Sequence, residues 1–295
     1  MIENVLVVLN YNDYNTIEKF LNNTIHIESI DKLIVVDNCS TDNSFEKLCA
    51  FESEKTDVIK TEKNGGYAYG NNFGVKYAMD KYSPKYVFIS NPDVEFDDSV
   101  ISSLQGLHKE LETAGENVGC VSCQMKTTSD IDIKTAWKLP RYKSCILDNL
   151  IVLSSILKCK KYNYDYDYFQ GEYSKVDVIH GSFFMVAMET FEKVGFFDED
   201  TFLYNEENIL AYKLKENKCQ SYILNTKSYL HHHSVSVSKN IKSIRKRLDI
   251  AYDSRCVYLN KYLRINKIKK IFNGVTYRIG CFNYIILSKI ISFIR

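Results

Sequence analysis

Asn91-Pro92-Asp93-Val94 places a carboxylate directly after the apolar run Tyr86-Val87-Phe88-Ile89. Open α/β folds gather ligand chemistry where buried strands end. Hard divalent cations such as Mg²⁺ take carboxylate and diphosphate oxygens and keep several waters. Asp93 is therefore the candidate ligand for a Mg²⁺ or Mn²⁺ ion. Glu95 stands two residues on, and in an extended segment both acids point one way. The competing reading is a turn-forming Asp beside a solvated Glu, since Asn-Pro-Asp is ordinary turn chemistry.

Four other constellations bear on chemistry. Asp37 closes the run Leu33-Ile34-Val35-Val36. It can accept hydrogen bonds from a nucleobase or ribose, or it can simply turn the chain and cap a helix. Asn64-Gly65-Gly66-Tyr67-Ala68-Tyr69-Gly70-Asn71-Asn72 is a glycine-rich entry into a helix. Free N–H groups at a helix start favour phosphate. The segment fits neither common phosphate-binding glycine fingerprint, so a plain Asn-Gly turn competes. Glu206-Glu207 opens a helix after Phe202-Leu203-Tyr204. Acids there complement the helix dipole, or one of them is a general base for a hydroxyl nucleophile. Adjacent side chains do not share a helix face, so only one points at a substrate. In His231-His232-His233, strand alternation puts the first and third on one face. Either can ligate a metal or donate to a phosphate; surface histidines are the alternative.

The elements that position these groups alternate. Val5-Leu6-Val7-Val8-Leu9, the run before Asp37, Val58-Ile59, the run before Asn91, and residues 118 to 123 read as strands. Helical patterns separate them. Continuous apolar strands between helices predict a mainly parallel sheet with helices on both faces. Residues 126 to 175 are rich in Lys, Asp and Tyr and read as an exposed loop, an edge hairpin or a substrate-contacting insertion. Residues 205 to 216 and 240 to 264 read as helices, and 271 to 294 mix Ile, Phe and Tyr with isolated cations. The organisation expected is a catalytic domain over 1–238, split near 125 into nucleotide-binding and acceptor-binding parts, and a basic helical extension over 239–295.

Bulk numbers narrow the class. The chain has 295 residues, 45% hydrophobic and 25% charged, with a net charge of +1. Nothing there suggests nucleic acid. The distribution is uneven: residues 239 to 295 hold 14 Lys+Arg against 2 Asp+Glu. Such a tail suits an anionic surface, with an ordinary packing helix or a dimer contact as rivals. Nine irregularly spaced cysteines suggest free thiols in a reducing cytoplasm. The N-terminal residues lack a signal peptide's basic start and apolar stretch. No run reaches the ~18 apolar residues that span a bilayer.

Taken in order, the motifs resemble the family 2 inverting glycosyltransferases of the GT-A fold, in particular bacterial rhamnosyltransferase-like enzymes of capsule, O-antigen and exopolysaccharide synthesis. The matching pieces are Val8 to Asn12, Val35 to Asp42, Asn64 to Asn72, Ser90 to Val94, Gly181 to Val186, Val194 to Glu199, Phe202 to Glu207, and His231 with Ser234 and Ser236. The resemblance covers roughly residues 3 to 240. It implies a nucleoside diphosphate sugar donor and a glycan or lipid-linked acceptor. Asp37 and Asn10 would meet the base or ribose, and Asn64, Gly65 and Asn71 would line the nucleotide pocket. Asp93 would be the last acid of the Asp-x-Asp motif, with His231 on the metal or diphosphate, and Glu207 would stand at the catalytic Asp. Two departures are evident: Asn91 replaces the first acid of Asp-x-Asp, and Glu206-Glu207 replaces a Glu-Asp pair, with Ile209 at the later Asp. A non-catalytic partner subunit and a sugar-nucleotide nucleotidyltransferase are the alternative functions.

Overall fold

The computed structural model describes residues 2–127, 135–156, 162–232 and 241–294. Strand β1 (Asn4–Asn10) leads through α1 (Tyr14–Thr24) to β2 (Lys32–Asp37), then α2 (Ser44–Leu48), β3 (Thr56–Lys60), α3 (Gly66–Tyr82) and β4 (Tyr86–Ser90). These four strands are parallel, in the order β3-β2-β1-β4. Their apolar runs divide by alternation. Leu6, Val8, Val35 and Phe88 enter the core on one face; Val5, Val7, Ile34, Val36, Val87 and Ile89 enter the core on the other. Both faces are covered, which is why the runs are unbroken.

After β4 come β5 (Val94–Glu95), α4 (Asp98–Thr113) and β6 (Val118–Lys126). Asp97 caps α4, its Oδ1 accepting from Val100 N–H at 3.2 Å. The next stretch holds β7 (Ala136–Trp137), α5 (Tyr142–Asn149), α6 (Ile151–Ile156), β8 (Tyr173–Val176) and β9 (Val178–Ile179). The expectation of a loop or hairpin over 126 to 175 is thus corrected by two helices and two strands. The helices were hidden because their order comes from distant partners: Asn149 bonds Asn273 and Thr276 rather than a local neighbour. Strand β10 (Phe183–Ala187) then runs antiparallel between β4 and β6, followed by α7 (Met188–Lys193), α8 (Glu206–Glu216) and β11 (Gln220–His231). β11 pairs parallel with β6 and antiparallel with β5 and β8. The result is a nine-stranded, mixed and mainly parallel sheet flanked by helices.

The basic extension is folded against the rest. It forms α9 (Ile244–Val257) and α10 (Lys267–Ile294). Tyr258, Leu259 and Ile265 share a core with Cys145 and Ile209, and Ser254 Oγ donates to Leu203 O at 2.8 Å. Ile209, which stands where the resemblance implied an acid, is fully buried there. The division expected at 238 lies outside the described residues, as do His233, Ser234 and Ser236. Among the described residues no helix is long and apolar enough to cross a membrane, and the eight cysteines are free thiols.

Candidate active site

Glycine sets the approach of α3 to the sheet. A Cβ on Gly70 would lie 2.4 Å from Leu9 Cδ1, and one on Gly74 would lie 2.6 Å from both Val7 and Val36. The N-terminus of α3 is thereby drawn to the carboxyl ends of β1, β2 and β4. Gly66 turns there with φ +89°, and a Cβ would sit 2.0 Å from Phe202 O. Tyr67 N–H donates to that same oxygen at 2.9 Å.

These ends enclose a cleft of ≈ 300 Å³, walled by Asn10, Asn38, Asn64, Gly66, Tyr67, Asn91, Pro92 and Asp93 on one side. Phe202, Leu203 and the α9 region, with Ile241, Lys246 and Ile250, complete it. Of the residues singled out from sequence, Asn10, Asn64, Asn91 and Asp93 meet on this wall. Asp37 stands behind it, fully buried: Oδ2 accepts from Asn10 Nδ2 at 3.1 Å and Oδ1 from Ser40 N–H at 2.8 Å. Asn38, one residue on, faces the cleft instead; its Nδ2 donates to Asn64 Oδ1 and Gly66 O, both at 3.0 Å. Gly65 is the N-cap of α3 and packs against the Tyr69 ring. Asn71 is buried inside α3, its Nδ2 donating back to Tyr67 O at 3.0 Å, as helical side chains lean toward the preceding turn.

Asp93 sits in the turn between β4 and β5. His231 Nε2 lies 3.3 Å from its Oδ1, and its Oδ2 is buried without a hydrogen bond. Glu95 does not share this direction. It bonds the exposed side of the sheet edge, 2.8 Å from His232 Nε2, because strand alternation starts only at Val94. Among the described residues no three His, Cys, Asp or Glu side chains converge on one point. The Asp93–His231 pair nonetheless suits a divalent ion. A carboxylate oxygen with no partner beside an imidazole offers two of the roughly six positions in a hard-cation shell, which donor oxygens and water complete.

Glu206 and Glu207 follow two consecutive left-handed residues, Tyr204 (φ 72°) and Asn205 (φ 66°). Both carboxyls are pushed above the ordinary range by burial. The charge of Glu207 raises Glu206 further and its own N–H lowers it, whereas Glu207 is pulled back first by its own N–H and then by that of Gly181. Glu207 lies against Gly181, where a Cβ would be 2.9 Å from its Oε1, and borders a small cavity of ≈ 10 Å³ with Asp177 and Phe184. Glu206 Oε1 is buried without a partner. Tyr67 joins this pair to the cleft. Its phenol donates to Gly181 O at 2.6 Å, and burial, then the charges of Glu207 and Glu206, hold it well above its usual pKa. Ser182 O in turn accepts from Asn91 N–H at 2.7 Å. One turn, Gly181-Ser182, thus touches both Glu207 and the cleft wall that bears Asn91.

Residues 5–195 match the sequence profile of Glycosyl transferase family 2. The chain belongs to that family. It is 23% identical over 263 residues to the low-salt glycan biosynthesis hexosyltransferase Agl10 of Haloferax volcanii, covering 89% of this chain and 75% of the relative. Among solved structures, the mannosyltransferase PcManGT of Pyrobaculum calidifontis, in complex with GDP-Man and Mn²⁺, superposes with a TM-score of 0.57 at 16% identity over 93% of this chain and 69% of its own. GalNAc-T7 with UDP, GalNAc and Mn²⁺ gives 0.61 at 11% identity over 80% of this chain; the match spans 45% of its own length. The fold of family 2 is the GT-A fold, and the sheet order above has that architecture.

Sequence reasoning missed several groups at this site. His180, at the break between β9 and β10, has its ring 5.5 Å from that of His231, and its Nδ1 lies 2.9 Å from Ser182 Oγ. Trp137 stands beside it at 6.1 Å and donates to Asn208 Oδ1 at 2.8 Å. Lys246 lines the cleft although it belongs to the basic extension. The one available signal was adjacency: His180 immediately precedes the Gly181-Ser182 motif.

Proposed function

We propose that the protein is an inverting glycosyltransferase. It moves a hexosyl or rhamnosyl group from a nucleoside diphosphate sugar to a hydroxyl of a glycan or lipid-linked acceptor, in the synthesis of a capsule, O-antigen or other exopolysaccharide. The observation that carries this reading is Asp93, which lines the cleft of ≈ 300 Å³ at the strand ends and keeps its buried Oδ2 without a hydrogen bond. The solved neighbours support the donor class, GalNAc-T7 having been crystallised with UDP, GalNAc and Mn²⁺ and PcManGT with GDP-Man and Mn²⁺.

In this reading Asn10, Asn38 and Asn64 hold the nucleoside through their amides. Lys246 sets a cation against the diphosphate. Asp93 and His231 would hold a divalent metal, which would offset charge on the leaving diphosphate. Glu207 is the base. Gly181 N–H favours its ionised form, while Glu206 keeps the pair's proton. The acceptor hydroxyl gives its proton to Glu207 as its oxygen bonds the anomeric carbon from the opposite face. The bond from that carbon to the diphosphate oxygen breaks, and the nucleoside diphosphate leaves with the electron pair. One displacement inverts the anomeric carbon. The free thiols fit a cytoplasmic setting.

The test is a screen of UDP-, GDP- and dTDP-sugars with Mn²⁺, reading nucleoside diphosphate release and the anomeric configuration of product by NMR. Release with inversion supports the reading. Pyrophosphate release from a nucleoside triphosphate would replace it with a nucleotidyltransferase, and release of neither product would leave a binding subunit.

A further inference from the structure

The last helix buries an asparagine and a threonine and turns a row of isoleucines and phenylalanines outward. Asn273, Thr276, Tyr277 and Cys281 of α10 are 2%, 5%, 8% and 3% exposed. Asn149 Nδ2 donates to Asn273 Oδ1 at 2.8 Å and to Thr276 Oγ1 at 3.0 Å. Tyr277 stacks on Tyr252 at 3.9 Å and donates its phenol hydrogen to Asp249. Gly280 lets the backbone of Asn149 approach so closely that a Cβ would lie 1.8 Å from its oxygen. These contacts fix the rotation of α10.

The opposite face is then Ile268, Ile271, Phe272, Val275, Ile279 and Phe282, each between 46% and 78% exposed. Their spacing of three and four residues makes one continuous stripe, about 20 Å long at ~1.5 Å per residue. Ile156 of α6, which packs beside α10, is 72% exposed as well. In water alone, the isoleucines would be expected inside and the asparagine outside.

Charge decides what covers the stripe. The 28 residues of α10 contain no Asp or Glu. At about 100° per residue, Lys267 and Arg278 fall along one border of the stripe and Lys269 along the other. Pairing two such helices would set cations against cations with no carboxylate to offset them. An anionic lipid surface is complementary to the borders and apolar beneath them.

We infer that α10 is a membrane-surface anchor that lies along an anionic bilayer, its Ile and Phe stripe in the acyl boundary and its Lys and Arg borders at the lipid phosphates. The inference does not depend on the proposed transfer reaction, because its readout is vesicle binding. Full-length protein is sedimented with phosphatidylcholine vesicles that do or do not contain phosphatidylglycerol. Binding is expected with phosphatidylglycerol and to weaken with salt. The double variant Phe272→Ser/Phe282→Ser should bind about tenfold or more weakly, and Lys267→Glu/Arg278→Glu about fivefold more weakly per charge. Circular dichroism and thermal melting matching the wild type show that these variants fold. Failure of the wild type to bind, or undiminished binding by the Phe double variant, overturns the anchor. So does a wild-type dimer in sedimentation equilibrium that the Phe variant disperses while vesicle binding is unchanged; the stripe then belongs to a second copy.

Discussion

His231 Nε2 stands 3.3 Å from Asp93 Oδ1, although one residue ends the last strand and the other follows the fourth. The register that brings them together is the short antiparallel pairing of Val94 with His231. The imidazole engages one carboxylate oxygen, and the other is buried without a hydrogen bond.

His231→Ala should therefore weaken Mn²⁺ binding about 10- to 100-fold, the usual cost of removing a group that orients or completes a metal site. Calorimetric titration of Mn²⁺ in the presence of nucleoside diphosphate checks this. An unchanged affinity removes His231 from the site.

The two glutamates should titrate as a pair. Both pKa values are raised, so the base becomes ionised only above the ordinary carboxylate range. Activity should rise with pH through a limb displaced upward from that range. Glu207→Gln should lower kcat by about 10² to 10⁴. Glu206→Gln mimics the protonated partner and should keep both turnover and the limb. A pH–rate profile of each variant is the check, and the reverse pattern exchanges the roles.

Gly66 and Gly106 should respond oppositely to alanine. At Gly66 the Cβ meets Phe202 O at φ +89°, so Gly66→Ala should cost about 2 kcal/mol or more and weaken donor binding. At Gly106, in the exposed face of α4, nothing lies within 4 Å, and Gly106→Ala should stabilise by about 0.5–1 kcal/mol. Thermal denaturation of the two variants measures both.

His108 is a source of acid sensitivity. It is 1% exposed, edge-on to Tyr86, and burial lowers its pKa; the nearby Glu112 opposes this only in part. A histidine depressed in the folded state contributes stability that is complete above its unfolded pKa of about 6.5 and is lost as pH falls from there toward the folded value, at about 1.4 kcal/mol per unit of depression. Urea titrations between pH 7.5 and 5 should show this loss in the wild type and a flatter profile in His108→Phe. Parallel profiles would place the loss elsewhere.

The parallel half of the fold was legible because its strands are buried on both faces, as the unbroken runs around Val7, Val35 and Phe88 show. Asn10, Asn91 and Asp93 were legible because they end or follow those runs, and Asn64 because it opens a glycine-rich entry into a helix. Glu95 was misdirected because the turn at Asp93 resets the alternation. Short α5 and α6 take their order from α10, across more than a hundred residues, so no local period announces them. Lys246 escaped for the same reason: its charge reads as part of a basic tail until α9 folds over the cleft.

The most direct test of the central claim is nucleoside diphosphate release from a matched nucleotide sugar in Mn²⁺, by the wild type, Asp93→Ala and Glu207→Ala, each first shown to melt cooperatively. The wild type should turn over and both variants should lose transfer. Full activity in the two folded variants would contradict the assignment of Asp93 to the metal and Glu207 to the acceptor proton.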